Sequence, residues 1–571
     1  MRAKRLEKLR ALMSRETLDG FVVPQTDAFM GEYIPECAQR LRWISGFNGS
    51  AGAAIILKDS AVAMTDSRYT IQIQKEVDSA LYDIGSSQDT SIGQWLSDNT
   101  NQGDVIAYDP WLHTHAEISA WEKFGICLKA VPENLIDCIW DDRPNAPSQP
   151  VFLHDDTIVG RSAHEKKALV ADQLKAHELD AFVLSDPQSI AWVLNVRSSD
   201  VSCTPLPLSY AIIHQDASVD WFIDEARLLE DVVPYLGQSV RVHAPDALAK
   251  ELAQLSEVER VGLDFKRAPI AFFNALDDGT CEIINSKDPC IDIRAQKTPQ
   301  EIESMKAAHI RDGRALTKAL KWIEDEAPKG TLTEMIVDQK LNACRAETGA
   351  LEDLSFPAIV GWAENGAIVH YRVSDESSLP IKGQGLLLID SGGQYVEGTT
   401  DVTRTVALNG APTQAQKHAF TLVLKGHIAV ATAVFPERTT GAQIDLLARK
   451  ALWEEGLDYG HGTGHGVGCY LSVHEEATSI SPRCNDPFKV GMIISNEPGY
   501  YKAGEFGIRI ESLLVVIDTG KTLEDGRPLL GFETITMVPL DEKLIEWSML
   551  SDSEARWVRD YQELVRQTLD L

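Results

Sequence analysis

Two short stretches of this chain repeat each other and constrain the architecture of its first half. LDGFVV (Leu18 to Val23) follows a helix-patterned segment and leads, by way of Trp43, to SAGAAIILKDSAVAMTDSR. LDAFVL (Leu179 to Leu184) also follows a helical segment and leads, by way of Trp192, to LSYAIIHQDASVDWFID. Each copy orders a helix, a short apolar strand and a later pair of strands, which predicts one α/β domain present twice. Asp141 to Pro150, with three prolines in ten residues, reads as the linker between them. Trp43 and Trp192, at like positions in the two copies, read as core.

At 571 residues the chain exceeds what one core can organise. A third region opens with IRAQKTPQEIESMKAAHIRDGRALTKAL, where Thr298 is placed to cap a helix, Pro299 to start it and Glu301 to complete a capping box. This region also carries a faint repeat. Residues 327–350 (APKGTLTEMIVDQKLNACRAETGA) parallel residues 435–458 (FPERTTGAQIDLLARKALWEEGLD). A pseudo-two-fold α+β domain with a site between its halves is the natural inference.

Composition narrows the function. The net charge of −31 disfavours nucleic acid and anionic membrane, both of which need a basic face. No apolar run approaches the roughly 20 residues that span a bilayer. The first twenty residues are charged throughout, without a signal segment, and read as an amphipathic helix. Nine cysteines without C-x-x-C pairs fit reduced thiols in a cytosol rather than a disulfide framework or a zinc ribbon.

The chemistry gathers in the last domain. GLLLIDSGGQYVEGTTDVTRTV is a hairpin pattern carrying Asp390 and Asp401, and GMIISNEPGYYKAGEFGIRIESLLVV is another carrying Glu497 and Glu511. A carboxylate closing an apolar run such as Leu386 to Ile389 is costly to bury unless a cation compensates it. Between the hairpins lies DYGHGTGHGVGCYLSVHE. His461 and His465 have the spacing of a helical zinc pair, but glycine at every second position from Gly460 to Gly468 argues against a helix. His465 instead joins the four carboxylates as a neutral nitrogen, with its glycines expected to allow close backbone approach to metal. Two divalent ions neutralise that set, and its oxygen-rich character suits manganese.

The ordered set AIVHY, IDSGGQYVEGTTDVTRT, HGTGHGVG, SVHE, SNEPGYY and GIRIES resembles the pita-bread metallopeptidases (family M24). Within them it is most similar to the long, three-domain cytosolic aminopeptidases P. The resemblance spans nearly the whole chain. It implies creatinase-type α/β domains over 1–145 and 151–293 and a pita-bread catalytic domain with a C-terminal extension over 294–571. It implies Asp390, Asp401, His465, Glu497 and Glu511 as ligands of two divalent ions, Mn²⁺ first with Co²⁺ or Zn²⁺ as alternatives. Asp401 and Glu511 would bridge the ions, and Glu497 would also act as general base on the activated water. His370 and His474 match substrate-contacting and proton-handling histidines, and His461 one lining the prolyl side of the pocket. The implied activity is hydrolysis of the amino-terminal Xaa-Pro bond of peptides with proline second, by a cytoplasmic homodimer.

Plainer readings exist for single residues. His370 alone reads as a packed core histidine, and His474-Glu475 as a solvated pair. Arg509, two before Glu511 on a strand, reads as orienting a ligand carboxylate. His418 and His427 read as surface or packing residues of a helix, and Cys469 as packing. Two departures from the family pattern stand out: Glu476-Ala477 follows SVHE where Gly-Pro is usual, and Glu397 stands where Asp is commoner. The rival activities are a prolidase, which the duplicated amino-terminal domain disfavours, a creatinase-like amidinohydrolase, and a non-catalytic pita-bread binding module, which would have lost ligands.

Overall fold

The computed structural model of the chain describes residues 1–255, 260–277 and 281–571. It forms two compact units, Met1–His154 with Arg161–Ile291, and Asp155–Gly160 with Asp292–Leu571.

The first unit contains two six-stranded sheets of one topology. In the first, Gly20–Pro24 lies between an antiparallel neighbour, Ala53–Leu57, and a parallel one, Val105–Tyr108. In the second, Ala181–Leu184 lies between Tyr210–His214, antiparallel, and Arg260–Leu263, parallel. LDGFVV and LDAFVL thus form corresponding central strands, and every residue of Ala181–Leu184 is buried, as a strand covered on both faces requires. The amino-terminal helix Arg2–Arg15 turns Leu6, Leu9, Leu12 and Met13 inward, the spacing of an amphipathic helix. Trp192 is core, and Trp43 stacks on Trp140 at 5.4 Å. All nine cysteines are free thiols.

The second unit is α+β and internally duplicated. Its first helix, Pro299–Glu326, has the expected Thr298–Glu301 capping box and Pro299 at its start. Helices Glu334–Ala346 and Gly441–Trp453 are each 13 residues long and are capped by Thr333 and Thr440. Those caps make matching bridges to Pro380 and Pro487. Both the threonines and the prolines are 107 positions apart (333 to 440, 380 to 487), and the same offset carries Asp390 onto Glu497. The faint repeat is therefore a structural one. In the first half, Leu316, Ala319 and Ile323 of the long helix pack with Val337 and Leu341 on Leu387 and Ile389 of the strand Gly385–Ser391. In the second, Phe420, Val423 and Leu424 of helix Gln414–Ala431 pack with Leu452 on Ile508 and Ile510. Helices thus back the antiparallel sheets and leave the strand ends for the site. Among the described residues no helix is long and apolar enough to cross a membrane.

Candidate metal centre

Leu386 to Ile389 are buried, so the strand Gly385–Ser391 carries its next residue, Asp390, into an interior with little water to compensate a charge. Ser391 pairs with Val402, and Asp401 stands immediately before that partner strand, also buried. The second hairpin is built alike. Asn496 pairs with Ser512, and Glu497 and Glu511 lie directly beyond that pair. The Glu511 N–H donates to the Thr403 carbonyl at 3.1 Å, which joins the two hairpins at their ends.

His465 sits in the short strand Gly464–Gly466, between Glu475–Ile480 and Ile493–Asn496. No helix forms from Gly460 to Gly468. The glycines make room for protein backbone. A β-carbon on Gly464 would lie 1.9 Å from the Ser495 carbonyl oxygen, and one on Gly466 2.6 Å from that of Glu475. Adjacent strands, at ladder spacing, fill the space beside both glycines.

Asp401, His465 and Glu511 bring ligand atoms within 4.8 Å of one another. His465 Nε2 is 3.5 Å from Asp401 Oδ2 and 3.6 Å from Glu497 Oε1. Its Nδ1 is 2.9 Å from the Gly466 carbonyl. A carbonyl only accepts, so Nδ1 carries the hydrogen and Nε2 is directed at the carboxylates, the orientation that metal-binding histidines use.

The electrostatics call for cations. Burial pushes the Asp390 carboxyl up to about 7, with the charge of Asp401 adding to it against Arg509. Burial raises Glu511 well above the usual range, with Asp401, Asp390 and Glu497 reinforcing it. Burial likewise raises Glu497, although His465 and Arg509 oppose the rise. Burial works against a cation on His465, yet Asp401 and Glu497 prevail and push its imidazole up to about 9. Asp390 Oδ1 and Asp401 Oδ1 are buried with no hydrogen-bond donor among the described residues. Four carboxylates, one imidazole and unused acceptor oxygens fit a pair of divalent cations.

Arg509 supplies the fixed positive charge. Its Nη2 donates to Asp390 Oδ2 at 2.5 Å, its Nη1 to the Tyr501 hydroxyl at 2.6 Å and its Nε to Thr403 Oγ1 at 3.2 Å. It pairs with Asp390 in the other hairpin and reaches Glu511 through Thr403, whose hydroxyl donates to Glu511 Oε2 at 2.7 Å. Thr403, Ser495 and Tyr501 are functional neighbours that the sequence reading missed. Thr403 lies two residues after Asp401 and Ser495 two before Glu497, so strand periodicity could have put each on its carboxylate's side. Ser495 accepts from the His465 N–H at 2.9 Å and donates to Glu497 Oε1 at 3.3 Å. Tyr501 ends the motif SNEPGYY, which does not reveal its partners.

The other histidines separate. His474 meets the His465 ring edge-on, with centroids 4.4 Å apart. His461 Nδ1 donates to the Gly462 carbonyl at 2.7 Å, which leaves Nε2 to accept from the Tyr501 hydroxyl at 2.8 Å. His370 is half-buried in the turn after Ala363–Ala367, next to Val369, whose carbonyl is 3.5 Å from Arg509 Nη1. His427 is buried against the Asn496 carbonyl, and His418 is half-buried beside Glu455, so both lie outside the site. Glu397 forms a two-pronged ion pair with Arg311 at 2.8 and 2.9 Å, and Cys469 packs 3.6 Å from the Glu397 carbonyl.

Two hairpins that turn four carboxylates and an imidazole toward one another, inside a duplicated α+β unit, define a metal-dependent hydrolase of the pita-bread fold. Known proteins agree. The profile of metallopeptidase family M24 matches residues 303–518, and that of its C-terminal region matches 528–570. Creatinase/prolidase N-terminal domain profiles match 5–135 and 142–301. A probable Xaa-Pro aminopeptidase P of Paracoccidioides brasiliensis (strain Pb03) is 39% identical, covering 98% of this chain and 94% of its own. One of Laccaria bicolor is also 39% identical, over 98% of this chain and 89% of its own. The chain belongs to metallopeptidase family M24, in its aminopeptidase P branch. Among solved structures, an X-prolyl aminopeptidase from Caenorhabditis elegans, described as cytosolic with a di-nuclear active site, superposes with a TM-score of 0.94 at 29% identity, covering 100% of this chain and 96% of that one. A Xaa-Pro dipeptidase from Bacillus anthracis, 22% identical with a TM-score of 0.55, shares the fold over 66% of this chain and 99% of its own.

Proposed function

We propose that the chain hydrolyses the bond between the first residue of a peptide and a proline at its second position, with Asp390, Asp401, His465, Glu497 and Glu511 holding two divalent ions. The convergence of ligand atoms from Asp401, His465 and Glu511 within 4.8 Å of one another carries this reading. A donor set of carboxylate oxygens and one imidazole, without thiolate, favours manganese ahead of cobalt or zinc. Asp401 and Glu511, one from each hairpin, would hold both ions.

Two divalent ions held by these residues would supply Lewis acidity for the scissile carbonyl and for the attacking water. Glu497 takes the proton that this water gives up. The bond to proline is a tertiary amide without a hydrogen, so its nitrogen must gain a proton to leave. His474 and His370 contact the substrate and handle that proton. His461, held by Tyr501, lines the prolyl side of the pocket, and Arg509 aims Asp390 and opposes the rise that burial imposes on its carboxyl. A cytoplasmic location agrees with nine free thiols, and a homodimer is what the family resemblance implies.

The test is hydrolysis of a short Xaa-Pro-Xaa peptide and of the matching Xaa-Pro dipeptide, with metal counted by elemental analysis, for the parent and Asp401→Ala. Tripeptide cleavage that depends on Asp401 and on metal is the expected result. Turnover of the dipeptide alone would make the protein a prolidase, and undiminished activity in Asp401→Ala would overturn the two-ion site.

A further inference from the structure

The strand Glu475–Ile480 loses register beside His465. His465 pairs with Ser479, yet its neighbour Gly466 pairs with Glu475, so Glu476, Ala477 and Thr478 bulge out of the ladder. Ala477 carries a φ of +95°, a conformation that a residue with a β-carbon rarely adopts. Bulges re-aim the side chains beside them. This one begins two residues after His474, whose ring lies 4.4 Å from that of His465, with only the paired Glu475 between them. Strain of this kind persists only where the surroundings over-determine it.

Buried charge over-determines it here. Lys297 Nζ donates to Glu475 Oε2 and, at 3.0 Å, to the Arg294 carbonyl. Arg294 Nη2 donates to Glu476 Oε2 at 2.8 Å, while its Nε lies 3.4 Å from Glu475 Oε1. The side chains of Arg294, Lys297 and Glu475 are only 1, 1 and 2% exposed. The Lys297 N–H donates to the Gly491 carbonyl at 3.0 Å, which ties the cations to the turn before the strand Ile493–Asn496 and hence to Glu497. Buried ion pairs of this sort contribute little net stability compared with apolar packing, and their best-attested use is to fix geometry.

We infer that Arg294 and Lys297 are positioning residues for the hydrolytic reaction: they grip Glu475 and Glu476, hold the bulge and so fix His474 against His465. This rests on the reading of His474 as a substrate-contacting residue and extends it to the groups that aim it.

The test compares Lys297→Gln/Glu475→Gln, which removes the buried Lys297–Glu475 pair and leaves Arg294 in place, with Glu476→Gln, which alters only the half-buried outer carboxylate. Each is made in the parent and in His474→Ala, and kcat, KM and bound manganese are measured on an Xaa-Pro-Xaa peptide. Expected are a kcat loss on the order of tenfold or more for the double variant and a smaller loss for Glu476→Gln, at unchanged metal content. Neither should lower kcat further in the His474→Ala background. Losses that multiply in that background, or that fall on KM alone, overturn the inference. So does parental kcat in Glu476→Gln, which decides the matter should the double variant fail to fold. Full activity of His474→Ala by itself would instead remove the underlying role of His474, and the inference with it.

Discussion

Arg509 and Asp390 meet at 2.5 Å across the two hairpins of the site, 119 residues apart in sequence, and both are buried. The same guanidinium holds Tyr501 and Thr403, so three directed contacts leave from one rigid fork. Lysine offers a point charge and cannot make all three. Arg509→Lys is expected to weaken metal binding or kcat/KM by about 10–100-fold, the range seen when groups orienting a metal ligand are lost. Competition with a chelator of known affinity measures the first and peptide hydrolysis the second. Parental values for both would show that Asp390 needs no such partner.

Much of this was legible in the sequence because period and punctuation are local. The duplicated strands, the Thr298–Glu301 capping box and the carboxylates closing apolar runs can be read within a few residues of each other, and each appears where expected. The identity of Arg509's partner was not legible, because Asp390 lies on another hairpin and only tertiary pairing brings them together. Tyr501 closes the motif SNEPGYY, but its place between His461 and Arg509 was hidden for the same reason. The glycines around His465 were visible, but what they accommodate was not.

Gly464 gives that point a test. Its backbone is not in the left-handed region, so space alone requires glycine, with the Ser495 carbonyl oxygen 1.9 Å from where a β-carbon would sit. Gly464→Ala must push the strand Gly464–Gly466 away from Ile493–Asn496, carrying His465 from the carboxylates. A stability loss of about 1–3 kcal/mol is expected from such overpacking, together with reduced metal content. Denaturant unfolding and elemental analysis check both, and a variant with parental stability would contradict the close packing.

Ala477 makes the opposite prediction. Its φ of +95° strains any residue with a β-carbon. Removing that carbon should relieve more than glycine's extra unfolded-state freedom costs, for a net gain of about 1 kcal/mol. Because the ion pairs to Glu475 and Glu476 remain, kcat should stay at the parental level in Ala477→Gly. Urea unfolding that shows a loss of stability would mean the bulge is not strained in solution.

Two buried histidines make the stability sensitive to acid. His113 packs edge-on against Trp121 with centroids 5.0 Å apart, and burial pushes its imidazole down to about 3. Burial, with Arg404 adding to it, pushes His427 down to about 3 as well, while its Nδ1 faces the Asn496 carbonyl. In the unfolded chain each takes a proton near pH 6.5, whereas in the folded protein each stays neutral until about pH 3. The unfolded state therefore binds the extra protons, and stability must fall as pH drops from about 6.5 toward 3. Each histidine steepens the fall within that window and contributes nothing above it. Thermal unfolding between pH 7.5 and 5 should show the decline, and replacing both with glutamine should flatten it. A profile with the same slope in the His113→Gln/His427→Gln variant would assign the acid sensitivity to other groups.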